Sequence, residues 1–334
     1  GHAPAPIERS AIDLPYGAAT EGKGGQACLY RPRRPGFAAM AYALPASLWP
    51  GIIVAMTDSA LDRPVAVFDA GIGSYAIVDL IHRRLPRQDI VYLADRASFP
   101  YGGKDGTALL ATMQRTIAFL DGYAPSAIVI ASNAPSIMVL DALEGSTSVP
   151  LLGVRPPLAE ALATSHTGSV GIMGVRSLVA SGLLDRFIRG IARDPSRVAA
   201  IDASDMVDLV ETGRFLFAPD ETQQAVDAFA AKLMTTHPAI DVLTLSSTHL
   251  PWLRAFFERA LPAVTFLDPA EQVVESIGAG TAGSGRILGL VTETPAFPVA
   301  VFRQMLAAIG ADIPLERVTI EDAYAAAGHP AAIQ

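Results

Sequence analysis

Val65-Ala-Val-Phe-Asp-Ala-Gly-Ile-Gly-Ser74 opens on four apolar residues, closes that run with Asp69 and continues as a glycine-punctuated loop. An unbroken apolar run bounded by a turn reads as a strand covered on both faces, the pattern of a parallel sheet. An amphipathic stretch follows to Leu85 and stops at Pro86, so the unit is strand, glycine loop, helix. The unit then recurs. Asp89–Asp95 predicts a strand, Arg96–Lys104 a polar loop, Asp105–Tyr123 a helix and Ala127–Ala131 a strand that runs into the loop Ser132-Asn-Ala-Pro-Ser136. Another helix and a strand over Pro150–Val154 complete the series, for which right-handed crossovers to a parallel sheet are the default.

Arg155-Pro-Pro157 breaks the pattern, which then restarts. Strands are predicted over Ser169–Met173, Arg197–Ile201 and Asp241–Leu245, and helices from Ser177 towards Arg189 and over Glu221–Thr236. The loop Ser246-Ser-Thr-His-Leu-Pro251 follows the third of these strands. Residues 286–320 add a strand at Arg286–Val291, a helix at Pro298–Ile309 and a last strand near Arg317–Ile320. The predicted class is α/β, in two halves of similar size. Ligands of open parallel sheets sit beyond the carboxyl ends of the strands. The loops at Asp69, Pro100, Ser132 and Ser247 all hold such positions, which points to one pocket shared between the halves. Gly71-Ile-Gly73 lacks the third glycine of a dinucleotide fingerprint.

Composition narrows the partners. The 334 residues are 51% hydrophobic and 17% charged, enough for a large core in about two domains. A net charge of −8 without an extended basic cluster argues against nucleic acid or an anionic membrane and for a small molecule. The single cysteine, Cys28, excludes an internal disulfide and is compatible with a reducing cytoplasm; no Cys/His spacing resembles a zinc site. Pro45 and Pro50 interrupt the one long apolar stretch, Phe37–Met56, so no membrane helix is expected there.

Read in order, these loops resemble the glutamate racemase branch of the aspartate/glutamate racemase superfamily over residues 64–322. Val67-Phe-Asp-Ala-Gly-Ile-Gly73 is similar to the family's Phe-Asp-Ser-Gly-Val-Gly-Gly, and Pro100-Tyr-Gly-Gly-Lys104 to its Pro-Tyr-Gly-x-Lys. Ile128-Val-Ile-Ala-Ser-Asn133 resembles Ile-Val-Ile-Ala-Cys-Asn, and Thr244-Leu-Ser-Ser-Thr-His-Leu-Pro251 resembles Leu-Gly-Cys-Thr-His-Tyr-Pro. Asp268 falls where the family has an Asp after its next strand.

The resemblance implies two pseudo-symmetric, doubly wound parallel-sheet domains with the active-site pocket between them. Residues 1–63 become a leader expected to be partly disordered, 64–158 plus 268–334 a first domain, and 159–267 a second. It further implies cofactor-independent inversion at the α-carbon of an amino acid or dicarboxylate, in a cytoplasmic homodimer. In the family one cysteine removes the α-proton while the other delivers a proton to the opposite face. Carried over, the two base positions are Ser132 and Ser247, their helpers Asp69 and His249. Substrate contacts map to Asp69, Tyr101, Gly102, Asn133 and Thr248.

Serine at both thiol positions changes the expectation. An unactivated alcohol is far less acidic than a thiol of pKa ~8.5, so it supplies almost no conjugate base at neutral pH. Two-thiol racemisation is expected to be absent or severely slowed. Ala70 stands where the family has Ser, Ala134 followed by Pro135 where it has Thr, and Ser246 where it has Gly. Together these describe a rebuilt pocket rather than an isolated double replacement.

Each residue also has a plainer reading. Asp69 could cap the helix that begins near Ser74, His249 could be a satisfied loop histidine, and Ser132 and Ser247 could be small polar lining. Tyr101 could be buried with its hydroxyl satisfied. Lys104 reads as a solvated loop charge, Arg155 and Arg176 as possible carboxylate partners, and Glu211 as a family glutamate near the pocket rim or a helix-face residue. Three functions follow: an enzyme using Asp69 and His249 as an acid/base pair, a hydrolase with Ser247 or Ser132 as nucleophile assisted by His249 and Asp69, or a binding protein without turnover.

Overall fold

A computed structural model of the chain describes residues 61–278 and 283–320. The expected leader therefore lies outside the described residues except at its last positions, and so do Cys28 and Phe37–Met56. Ten strands are described: β1 Val65–Asp69, β2 Ile90–Asp95, β3 Ala127–Ile130, β4 Leu151–Gly153, β5 Val170–Gly174, β6 Val198–Asp202, β7 Val242–Leu245, β8 Thr265–Leu267, β9 Ile287–Thr292 and β10 Leu315–Arg317. They form a six-stranded sheet of order β10-β9-β2-β1-β3-β4 and a four-stranded sheet of order β6-β5-β7-β8. Every neighbouring pair is parallel.

The apolar runs account for this arrangement. All of β1 and β2 is buried, as helices cover both faces. Burying one Val or Phe side chain stabilises by roughly 1.5–3 kcal/mol, so strands of this composition are stable only inside a layered α/β fold. The segments β2-β1-β3-β4 and β6-β5-β7-β8 take the same path: the first strand is central, the second flanks it, and the third and fourth lie on the other side. The path therefore reverses between β1 and β3 in one sheet and between β5 and β7 in the other. Such switch points open a crevice at the carboxyl ends of the strands. β9 and β10 extend the first sheet beside β2.

Three elements differ from the sequence reading. The helix from Ser177 towards Arg189 is two helices, Arg176–Val179 and Gly182–Ile191, because the Ser181 side chain accepts from Leu184 N and starts a new helix. The segment after Ser132 is a helix, Asn133–Met138, and it tolerates Pro135 because the first turn has no intrahelical use for that N–H. The last strand is Leu315–Arg317, pairing with Gly289–Val291, rather than Arg317–Ile320. Among the described residues no helix is long and apolar enough to cross a membrane.

Candidate active site

Both switch points face one cavity of about 260 Å³. Asp69 ends β1, and Ser132 lies two residues beyond the last residue of β3, its neighbour in the sheet. Ser247 lies two residues beyond the last residue of β7, the equivalent strand of the second sheet. All three line the cavity, with Tyr101, Gly102, Asn133, Thr248 and His249. The structure thus brings together every residue that the sequence singled out as catalytic or substrate-binding.

Asp69 is buried, and Thr248 Oγ1 donates to its Oδ2 at 3.3 Å. Burial pushes its pKa from 3.8 up to about 6, against the pull of the His249 charge, the Ala70 N–H and the Ser132 hydroxyl. Across the cavity Ser247 Oγ lies 3.4 Å from His249 Nδ1, and His249 Nε2 lies 2.6 Å from Glu211 Oε1. Burial works against the imidazolium, but the bond to Glu211 and the charges of Glu211 and Asp69 prevail, so the pKa of His249 is raised above 6.5.

Glu211 has three donors. Besides His249 it accepts from Ile72 N at 2.8 Å and from Arg96 at 2.9 Å. Burial favours its neutral form, yet His249, Arg96 and the Ile72 N–H hold its pKa at about 2. The Arg96 guanidinium also donates to Ala70 O at 2.9 Å and sits 5.0–5.4 Å from the ring centres of Phe99, Phe297 and Phe302. Glycines make this closeness possible. A Cβ on Gly71 would collide with the Glu211 carboxylate and the His249 ring, and one on Gly73 would meet the Thr248–His249 backbone at 2.7 Å.

Other residues take different roles from those first considered. The Tyr101 hydroxyl donates to Asp95 Oδ2 at 3.1 Å, so the ring lines the cavity with its polar end already engaged. Asn133 donates to Val154 O at 3.1 Å and leaves Oδ1 buried without a partner. Arg176 lines the cavity while bonded to Asp202 at 2.8 Å, whereas Arg155 pairs with Asp141 at 2.7 Å. Lys104 is not among the lining residues. Asp268 accepts from Ala270 N at 2.9 Å at the start of the helix Ala270–Ile277, away from this cavity. Arg96 escaped the sequence reading, since nothing local in Asp95-Arg96-Ala97 signals a partner so far along the chain. Glu211 offered one signal, the family alignment, which its amphipathic helix pattern matched equally well.

Residues 76–277 match the family described as Asp/Glu/Hydantoin racemase. The chain is 31% identical to glutamate racemase of Herpetosiphon aurantiacus over 215 residues, covering 64% of this chain and 82% of that protein. It is 30% identical to glutamate racemase of Ralstonia pickettii over 267 residues, covering 78% and 93%. The crystal structure of glutamate racemase from Thermus thermophilus, in complex with beta-chloro-D-alanine, superposes with a TM-score of 0.65 at 28% identity, over 79% of this chain and all of that one.

Proposed function

The chain belongs to the Asp/Glu/hydantoin racemase family, and on that footing we propose an enzyme of racemase descent that moves protons on a small amino acid or dicarboxylate with Asp69 and His249. One observation supports this most: two ionisable groups share the cavity, one a carboxylate titrating at about 6 and the other an imidazole titrating above 6.5. At neutral pH Asp69 is mostly ionised and accepts a proton, while Glu211 and Asp69 make His249 hold its proton more tightly than a free imidazole does. A base with a pKa near the operating pH combines availability with proton affinity. Ser132 beside Asp69 and Ser247 beside His249 stand where the family has its thiols. As alcohols they orient and relay hydrogen bonds, but they do not remove an α-proton as thiolates do.

Two-thiol racemisation is therefore absent or severely slowed. Isomerisation, elimination or decarboxylation at a more acidic position, or proton transfer at a heteroatom, suits the pair better. No cofactor is called for. We assign residues 64–158 plus 268–334 to a first domain and 159–267 to a second, in line with the two sheets. A cytoplasmic homodimer belongs to the same reading and rests on the family resemblance. The test is solvent-deuterium incorporation into D- and L-amino acids and dicarboxylates, followed by NMR. Exchange that disappears in Asp69→Asn and His249→Gln is expected; no exchange or turnover across the panel would overturn the enzymatic reading.

A second reading has its own observation. Ser247, His249 and Glu211 form a hydrogen-bonded series at 3.4 and 2.6 Å, the order of a nucleophile, its base and the group that orients the base. Glu211, rather than Asp69, would be the third member of that hydrolase. The raised pKa of His249 works against it, because it disfavours the neutral ring that must take the serine proton. Labelling with a serine-directed phosphonate separates the readings: modified Ser247 favours the hydrolase, and unmodified Ser247 removes it.

A further inference from the structure

Arg96 stands behind both members of the proton-transfer pair. It follows β2 directly, and its Nη1 donates to Ala70 O and to Glu211 Oε2, each at 2.9 Å. Ala70 is the residue after Asp69, and Glu211 bonds His249 through its other oxygen. One nitrogen therefore reaches the loop that carries the base and the helix, Ser204–Glu211, that carries the partner of the acid.

These contacts are shielded from water. The side chains of Arg96 and Glu211 are 8% and 7% exposed, and the rings of Phe99, Phe297 and Phe302 lie 5.0–5.4 Å from the guanidinium. Replacing a buried Arg–Glu pair by apolar residues of similar volume is often neutral or stabilising. Stability alone therefore does not account for an arginine at this place. A guanidinium brings what an apolar residue lacks, several donors in a fixed plane and a permanent charge.

We propose that Arg96 is a positioning residue for the proton-transfer pair, holding the loop of Asp69 and the Glu211 carboxylate in one frame and taking a share of the Glu211 charge that His249 would otherwise hold alone. This rests on the reading above that Asp69 and His249 move protons.

The geometry fixes the sign of the second effect. Glu211 Oε1 meets His249 Nε2 at 2.6 Å while Oε2 meets Arg96. Protonating the ring puts a second cation across one carboxylate from the first, and repulsion is weakly screened where water is excluded. Burial lowers the pKa of His249, Glu211 and Asp69 raise it, and Arg96 opposes them. Two other titratable groups are close. Asp208, one turn before Glu211 on the same helix, has its pKa raised by burial and feels the His249 charge. Tyr92 of β2, whose phenol burial pushes up, stays neutral near Arg96. When Arg96 is removed, the Ile72 N–H and His249 itself still hold the Glu211 carboxylate.

NMR titration of the His249 ring nitrogens in the full chain tests this, with Arg96→Met to remove the cation and Arg96→Lys to keep it. Arg96→Met is expected to raise the His249 midpoint by about one pH unit, and Arg96→Lys to leave it nearly unchanged. An arginine with a merely structural role gives the opposite result, since its loss releases Glu211 from the ring and the midpoint falls towards 6.5. A midpoint that falls or stays in place in Arg96→Met overturns the proposal. Where that variant does not fold, the unmodified chain carries the test: the guanidinium protons of Arg96 are expected to exchange slowly with water and to shift with the midpoint of the His249 ring. Arg96 signals that do not follow that titration overturn the proposal. Neither readout needs a substrate, so both fail independently of the deuterium exchange that tests the enzymatic reading.

Discussion

His249 Nε2 lies 2.6 Å from Glu211 Oε1, with 9% and 7% of the two side chains exposed. Burial alone would leave the imidazole neutral. The carboxylate prevails because its other oxygen is held by Arg96 at 2.9 Å, which keeps it ionised and pointed at the ring. The acid side of the cavity is thus set from behind, by residues that need not touch a ligand.

Glu211→Gln keeps most of the shape and removes the charge. The midpoint of His249 is expected to fall, read by NMR of the ring nitrogens. Arg96 is left as a buried charge without its partner, so stability drops by about 3–5 kcal/mol. The loss depends on pH with a definite sign. The raised pKa of His249 gives stability that is complete below 6.5 and fades as pH rises through its folded value. The lowered pKa of Glu211 gives stability that is complete above 4.5 and fades as pH falls towards about 2. The cost of Glu211→Gln should therefore be greatest between about pH 4.5 and 6.5 and smaller on either side, as measured by urea unfolding.

Asp69 has the opposite sign to Glu211. Its pKa rises from 3.8 to about 6, so the folded state binds a proton more tightly than the unfolded chain and stability falls as pH climbs through that interval. The shift corresponds to ~3 kcal/mol at pH 7. Asp69→Asn is expected to stabilise the protein at pH 7 by up to that amount, and by much less at pH 4, in denaturant titrations. Equal effects at the two pH values would show that Asp69 is not held at a cost. A group kept ionised in a buried site against stability is what a functional carboxylate entails.

Much of this site was legible in the sequence, for a physical reason. Apolar runs such as Val65–Phe68 and Ala127–Ala131 announce parallel strands, and the first polar residues after them fall where a parallel sheet opens. The loops that hold Asp69, Ser132 and Ser247 were found in that way, and the residues themselves through the family resemblance. The ion pair of Arg96 with Glu211 was not, because it forms between residues 115 apart and depends on how the helix Ser204–Glu211 packs against the loop after β1. Local pattern carries no record of such packing. The break at Ser181 was missed for a smaller reason: the apolar periodicity runs on through it, and only the side-chain cap to Leu184 N divides the helix.

Gly71 tests that packing. A methyl group there meets the Glu211 carboxylate and the His249 ring, so Gly71→Ala forces one of them to move. A destabilisation of about 1–3 kcal/mol is expected from the overpacking, together with a lowered His249 midpoint from the disturbed contact. Gly106→Ala, whose added Cβ has nothing within 4 Å, serves as the control and should be close to neutral.

Replacing both serines, Ser132→Cys with Ser247→Cys, supplies two thiols of pKa ~8.5 at equivalent ends of β3 and β7. Racemisation of an amino acid or dicarboxylate such as glutamate is expected to appear, as followed by circular dichroism or by α-deuterium exchange. Either single replacement should give far less, because inversion needs a base on one face and an acid on the other.

Site-resolved NMR titration of Asp69 and His249 in the unmodified chain is the most direct test, because it needs no substrate. The carboxyl of Asp69 is expected to titrate near pH 6 and the ring of His249 above 6.5, so that the carboxylate loses its proton before the ring does as pH rises. A His249 ring neutral throughout this range, or an Asp69 carboxyl titrating near 4, would contradict the assignment of base and acid on which the proposed chemistry depends.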